Sequence, residues 1–452
     1  MFLISLKNKI VNTNENNRII LYNTIGAFFV RGGAMVLTLF TMPAYIHYFD
    51  NQKILGLWFT ILSVLSWILT FDLGIGNGLR NHLVPALIKK DYPQAKIYIS
   101  SAYVFMSVVV LISICVSTIL FKFINWNVFF NISNTIVSRE TLNLSVFIVF
   151  LGIMLQFLLK LITSILYAMQ KSALINLLSL FNSVIVLVYV LLAKTSDISS
   201  NLISISFINV LAVNLPLLIA SIIIFSTKLK LCRPSIKSFQ KKFAKDVMML
   251  GGVFFLTQVT FMLITATNEF LITWFTGSEM VVEYQIYFKL FTLAGFVFTL
   301  ALTPVWSAVT KAYTERNFVW IKKLNKKLNL LVLLAVVCEF GMIPFLQLGI
   351  NFWLGHTAIQ VNYLHAIVFA MMGSMVIWTV ALACIANGIG ELKAQIIFWT
   401  LGAIIKVPVA WILVIFYGWI GVPIANVIAL SFYCVFQPIW LNKFFNNAQK
   451  LM

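Results

Sequence analysis

Residues 202–226 read LISISFINVLAVNLPLLIASIIIFS, and residues 228–246 read KLKLCRPSIKSFQKKFAKD. The first stretch carries no charge and, as a helix, is long enough to cross the roughly 30 Å hydrocarbon layer of a bilayer. The second holds seven Lys and Arg residues, the mark of a short loop kept on the cytoplasmic side because basic residues resist translocation. An apolar run followed by a basic island is the pattern that repeats along the chain. It predicts an all-α polytopic membrane protein.

Outward from that stretch, further apolar windows fall near residues 21–46, 55–77, 98–122, 142–168, 173–193, 247–275, 284–308, 328–350, 362–387, 394–416 and 418–440. With 202–226 they make about twelve spans. The connections Gln170–Lys171 and Tyr417–Gly418 are so short that a broken or re-entrant helix is an alternative at each. Composition agrees: of 452 residues 61% are apolar and 10% charged, with a mean hydropathy of +0.98, which excludes a water-soluble domain. The net charge of +19 would suggest nucleic acid in a soluble protein. Here the basic residues sit beside spans, so orientation and anionic lipid account for them and no nucleic-acid partner is expected.

With the N-terminus inside, the cytoplasmic side collects 24 of the 32 Lys and Arg residues, the opposite side holds Lys53, Lys122, Arg139 and Lys194, and Arg31, Lys160, Lys289 and Lys406 lie within spans. Both termini are therefore expected in the cytoplasm. The N-terminal residues lack the ordered basic, apolar and cleavable regions of a signal peptide, so the first span should be retained. Cys115, Cys232, Cys338, Cys384 and Cys434 are scattered singly and read as packing residues. The basic segment 228–246 divides the chain into an N-terminal lobe, 1–227, and a C-terminal lobe, 247–452. At an offset of 226 residues, Gly26, Phe28, Phe29 and Trp58 align with Gly252, Phe254, Phe255 and Tyr284. Repetition of a six-span half predicts two parallel lobes around a central cavity; chance similarity between apolar stretches is the alternative.

No Gly-x4-Gly-Lys-Ser/Thr loop, His-Glu-x-x-His or Gly-x-Ser-x-Gly motif is present, so neither ATP hydrolysis nor an enzyme of those classes is expected, and no catalytic residue, metal site or cofactor is assigned. The chemistry lies in ionisable residues at membrane depth, each costly unless it faces a partner or a watery cavity. Gln156, Lys160, Thr163 and Tyr167 share one helical face of span 4. Gln285, Lys289, Thr292, Thr299 and Thr303 do so in span 8, and Thr24, Arg31 and Thr38 in span 1. Lys406 stands two residues before Pro408. Together these predict a cationic, hydroxyl-rich lumen; pairing of each cation with a buried acid (Asp72, Glu269 or Glu339) is the competing reading. Glu269, on a face with Gln258 and Thr265 and preceded by Asn268, is the first candidate to exchange H⁺ or Na⁺, with Asp72 and Glu339 as others. A permanent salt bridge from Glu269 to Lys289 or Arg31 is its alternative. His47, His82, His356 and His365 lack metal-ligand spacing.

The most specific stretch is residues 55–91, LGLWFTILSVLSWILTFDLGIGNGLRNHLVPALIKKD. It resembles the corresponding segment of Wzx-type polysaccharide flippases, in the superfamily that also holds the multidrug and toxin extruders and the lipid II flippases. Arg31-Gly32-Gly33, Pro43 with Tyr45, and Gln258 after a Gly-x-Phe-Phe run look like further positions of that family. The resemblance implies a cargo, an undecaprenyl-pyrophosphate-linked oligosaccharide such as an O-antigen repeat unit, moved from the cytoplasmic to the periplasmic leaflet of a bacterial inner membrane. It implies Arg31, Arg80, Lys160, Lys289, Lys406, Asn77 and Asn81 as substrate contacts, membrane lipids as partners of a monomer, and a polysaccharide polymerase and chain-length regulator as neighbours in the pathway. Gly74, Gly76 and Gly78 would let backbone approach closely or bend. A cation-coupled multidrug extruder shares the expected fold but takes cationic substrates, against which the deep cations argue. A membrane polymerase would need a large periplasmic loop, and a channel would need a filter segment.

Overall fold

The structure, a computed structural model, describes residues 32–33, 37, 39–69, 75–169, 171–193, 197–243, 252–314, 316–355 and 359–450. Arg31 and Asp72 lie outside the described residues, as do the side chains of Asn77 and Asn81. Among the described residues all regular structure is helical, in line with the all-α expectation. After helical residues 39–49 the main helices are α1 Gln52–Ile68, α2 Ile75–Ile88, α3 Tyr92–Leu120, α4 Arg139–Leu159, α5 Leu161–Ala168, α6 Ser172–Leu192, α7 Ile198–Ser226, α8 Gly252–Thr265, α9 Asn268–Thr276, α10 Glu279–Thr314, α11 Phe318–Gly341, α12 Leu346–Leu354, α13 Tyr363–Ile389, α14 Lys393–Tyr417 and α15 Gly421–Lys450. The chain is a multi-pass membrane protein. Among the described residues seven helical stretches are long and apolar enough to cross a bilayer, and the last, Lys393–Asn446, runs through two helices. In their described parts, the predicted windows from the second to the twelfth lie on helices and the short turns that join them.

Among the described residues, several windows predicted as single helices are divided, the ninth, 328–350, between α11 and α12. The fourth divides into α4 and α5 at Lys160, and the seventh into α8 and α9 at Ala266–Thr267. Lys160 itself keeps helical dihedrals, φ −63° and ψ −21°, so the interruption is a single residue within the helical stretch Arg139–Ala168. Helix starts follow local chemistry: Asn51, Asp91, Ser138, Asp197 and Asn362 each accept a backbone N–H in the first turn through their side chains, satisfying donors the helix itself cannot. Gly390, at φ 77°, ends α13 in the left-handed conformation that favours glycine.

The chain forms two compact units. The first comprises Met1–Asp50, Phe71–Trp126 and Val137–Val253. Within it α4 lies so close to α7 at Gly152 that a Cβ there would run into Val210, and Asn214 Nδ2 donates to the Gly152 carbonyl at 3.0 Å. The basic segment after α7 is folded onto the start of α3: backbone N–H groups of Ser235 and Gln240 donate to Ser100 Oγ and Ser101 Oγ, and Cys232, within the segment, is buried.

The second unit comprises Asn51–Thr70, Asn127–Ile136 and Phe254–Met452. Its chain content differs from the predicted half 247–452, because α1 and the segment 127–136 pack with the C-terminal helices. The reason is a run of small and polar residues on one face of α1. Ser278 Oγ donates to the Lys53 carbonyl at 2.8 Å, Gly56 lies against the Ser278 carbonyl, the Thr60 and Thr273 hydroxyls meet at 2.6 Å, and Ser63 Oγ reaches Glu269 Oε2 at 3.0 Å. At the end of the row Trp67 Nε1 donates to the Ala266 carbonyl at 2.7 Å. Ascending α1 matches descending α9, so the two helices are antiparallel. Asn131 Nδ2 donates to the Thr273 carbonyl at 3.1 Å and ties in the second segment.

Candidate functional site

The break between α8 and α9 gathers a cluster of buried polar residues of the second unit: Thr267, Asn268, Glu269, Lys406 and Asn426. A helix leaves its last carbonyls without in-helix donors, and in a membrane interior each must be satisfied by protein. Here Thr267 Oγ1 donates to the Leu263 carbonyl at 2.8 Å. Asn426 Nδ2 donates to the Ile264 carbonyl at 2.9 Å, and Ser63 Oγ and Trp67 Nε1 both reach the Ala266 carbonyl. Lys406, from α14, is fully buried. Its ammonium reaches the carbonyls of Leu263 and Ile264, Thr267 Oγ1 at 2.7 Å and Asn268 Oδ1 at 2.8 Å.

Glu269 occupies the first turn of α9 and is 8% exposed. Its carboxylate accepts from Ser63 Oγ and from Gln285 Nε2 at 2.8 Å. Among the described residues no cation stands within salt-bridge distance of it, so the predicted alternative of an ion pair with Lys289 is not what holds it. The Lys406 ammonium is directed to other oxygens. Asn268, wholly buried, donates through Nδ2 to Tyr284 Oη at 3.0 Å and so joins α9 to α10. Lys289, on the same α10, places its ammonium 5.5 Å from the centre of the Phe59 ring. Glu339, on α11, is fully buried against Gly373 of α13, and its carboxyl oxygens have no hydrogen-bond partner among the described residues.

In the first unit the predicted residues meet where α2 lies along α5. Gly76 faces Ser164, which a Cβ at Gly76 would reach at 2.7 Å. One turn further the Arg80 guanidinium stands 4.9 Å over the Tyr167 ring. Lys160, Thr163, Ser164 and Gly76 line a cavity of about 30 Å³ with Met106, Phe157 and Leu161, room for a water molecule rather than for cargo. At the α4–α5 break the Lys160 carbonyl accepts from Thr163 N at 2.9 Å and Thr163 Oγ1 at 2.7 Å.

Sequence reasoning placed Lys406 in a lumen facing cargo. The structure places it instead in a closed shell of protein oxygens, because the carbonyls freed by the helix break need donors more than a lumen needs another charge. Ser63, Thr267, Tyr284 and Asn426 were not anticipated as partners. The triplet Thr267-Asn268-Glu269, residue types that favour helix starts, was the available signal of a new helix inside span 7.

No family model matches the chain, and no curated protein does. Solved structures do. An inward-facing multidrug resistance MATE family transporter of the MOP superfamily is similar with a TM-score of 0.72 at 15% identity, over 93% of this chain and 99% of that one. The fold is that of the MATE transporters. An outward-facing structure of that kind has a TM-score of 0.65 at 14% identity, over 95% of this chain and 96% of the other. A MOP superfamily transporter from Pyrococcus furiosus, described by the words "reverse polarity of binding pocket suggests different function", has a TM-score of 0.62 at 14% identity, over 94% and 96%.

Proposed function

We propose that this chain is an alternating-access secondary transporter of the MOP type whose cargo is an anionic, lipid-linked saccharide, an undecaprenyl-pyrophosphate-linked oligosaccharide carried from the cytoplasmic to the periplasmic leaflet. The observation that carries the reading is the placement of Lys160, Lys289 and Arg80 beside hydroxyls or aromatic rings at or near membrane depth in a MATE-type fold. A pyrophosphate and a hydrated glycan cannot cross hydrocarbon unaided, and cations, hydroxyls and ring faces are the groups that replace their water. Arg31, Asn77 and Asn81 join this set as proposals, and Lys406 leaves it. Glu269 is the proposed site of H⁺ or Na⁺ coupling, with Asp72 and Glu339 behind it. Its proposed location is a bacterial inner membrane, as a monomer with both termini cytoplasmic, and a polymerase and a chain-length regulator are its proposed neighbours in the pathway.

A cation-coupled multidrug extruder is the second reading, favoured by the description of similarly folded proteins as multidrug resistance transporters. One experiment separates the two. Proteoliposomes holding the purified chain are loaded with an undecaprenyl-pyrophosphate-linked oligosaccharide, and flipping is followed by loss of protection from an external glycosidase, with efflux of a cationic dye measured in parallel. Glycolipid movement that falls at least tenfold in Lys160→Ala and Lys289→Ala supports the flippase. Dye efflux without glycolipid movement overturns it in favour of the extruder.

A further inference from the structure

We propose that the Lys406 ammonium is a resident cation, filling an oxygen cage at the α8–α9 break that would otherwise take a monovalent metal ion. The inference stands apart from the transport reading and needs no cargo to test. Four oxygens converge on the Nζ position: the carbonyls of Leu263 and Ile264, Thr267 Oγ1 and Asn268 Oδ1. Each is held as an acceptor. Thr267 spends its proton on the Leu263 carbonyl, leaving lone pairs toward Lys406. Asn268 directs its amide nitrogen to Tyr284, and Asn426 Nδ2 approaches Asn268 Oδ1 at 3.3 Å, which fixes that side-chain oxygen toward the amine.

Carbonyls of an interrupted helix, with its negative dipole end, and neutral side-chain oxygens are the donors that hold alkali ions in membrane proteins. Lys406 and Asn268 are wholly buried, and Thr267 and Asn426 are 6% and 2% exposed. The cage is therefore closed to water, and an ion at its centre would be stripped of its hydration shell. Its donors are uncharged, and the acid beside it, Glu269, follows Asn268 in the chain. That balance suits one positive charge and disfavours a divalent ion. The native chain meets the requirement covalently, from α14, so the C-terminal unit needs no ion from solution at this point.

The test uses full-length purified protein in detergent micelles, with Tm read in NaCl, KCl and choline chloride at equal ionic strength, alongside binding of radioactive Na⁺. The wild type is expected to show no saturable Na⁺ binding, and no Na⁺-specific rise in Tm, that altering the cage removes. Lys406→Ala is expected to have a lowered Tm, recovered by several degrees in Na⁺ or in methylammonium but not in choline, with saturable binding near one Na⁺ per chain that Lys406→Ala/Asn268→Ala abolishes. A Lys406→Ala protein without ion-specific recovery overturns the proposal. Lys406→Ser is the second variant. If neither accumulates, the wild type decides: Na⁺ insensitivity upholds the proposal, and saturable Na⁺ stabilisation removed by Asn268→Ala sinks it.

Discussion

Replacing Glu269 by Gln should abolish the dependence of transport on an imposed ion gradient while leaving the fold nearly intact, and the hydrogen bonds around the carboxylate say why. Gln can turn its oxygen to Gln285 Nε2, which now donates to Oε1 at 2.8 Å, and its amide nitrogen to Ser63 Oγ. Ser63 has a second acceptor in the Ala266 carbonyl at 3.0 Å, so its proton can go there and no group is orphaned. Two bonds to a charged group, about 1.5–3 kcal/mol each, become two neutral ones of about 0.5–1.5 kcal/mol each. The loss of roughly 1–3 kcal/mol is offset by no longer holding a carboxylate out of water. Glu269→Gln should therefore lie within about 2 kcal/mol of wild type, whereas Glu269→Ala, which strands Gln285 and opens a cavity, should cost about 3–5 kcal/mol. The assays are thermal unfolding in micelles and glycolipid flipping in proteoliposomes with an imposed pH or Na⁺ gradient. A Glu269→Gln protein whose transport still follows the gradient would refute the assignment, and a collapse of its Tm to the level of Glu269→Ala would refute the hydrogen-bond reasoning.

Three more outcomes follow from local geometry. Gly56→Ala drives a Cβ into the Ser278 backbone carbonyl, which cannot rotate away, and should destabilise by about 1–3 kcal/mol, while Gly341→Ala, with nothing within 4 Å of the new carbon, should leave Tm unchanged. A double-mutant cycle of Arg80→Ala with Tyr167→Leu should return a coupling of about 0.5–1 kcal/mol for an exposed cation over a ring; zero coupling would remove α2–α5 recognition through this pair. The Asp197 carboxyl, hydrogen-bonded to Ser200 at the start of α7, is held below its ordinary value of 3.8. Its contribution is present above that value and lost as pH falls through the lowered one, so the Tm difference between wild type and Asp197→Ala, expected at neutral pH, should shrink on acidification; a difference that grows instead would contradict the cap.

The helical windows were legible because a bilayer demands length and apolarity, which any single span displays in isolation. Residues 202–226, for example, lie within α7. What the sequence hid were interruptions. Lys160 and Ala266 sit in stretches whose composition differs little from the uninterrupted spans, and only partners far along the chain, such as Ser63, Asn426 and Lys406 for the second break, make an interruption tolerable. Chain content of the units was hidden for the same reason. The face of α1 bearing Gly56, Thr60 and Ser63 reads as an ordinary small-residue face until Ser278, Thr273 and Glu269 are seen opposite it. Lys406 was identified as a deep cation, correctly buried, but its direction could not be read from α14 alone.

The two charges at the α8–α9 break are placed by the helices more than by each other. Glu269 stands in the first turn of α9, at its positive dipole end, and Lys406 at the carbonyl end of α8, where the dipole is negative. Each has its own uncharged partners, Ser63 and Gln285 for the acid and four oxygens for the amine. In a directly bonded buried pair, neutralising one member strands the other at a cost of about 3–5 kcal/mol. With the pair held apart, Glu269 can gain or lose a proton while Lys406 keeps all its acceptors. A carboxyl meant to cycle through two charge states needs that independence. Ser63→Ala removes a donor to the Glu269 carboxylate, which favours the protonated acid, and should slow transport while Lys406 keeps its four oxygens; unchanged transport in Ser63→Ala would show that this donor is incidental.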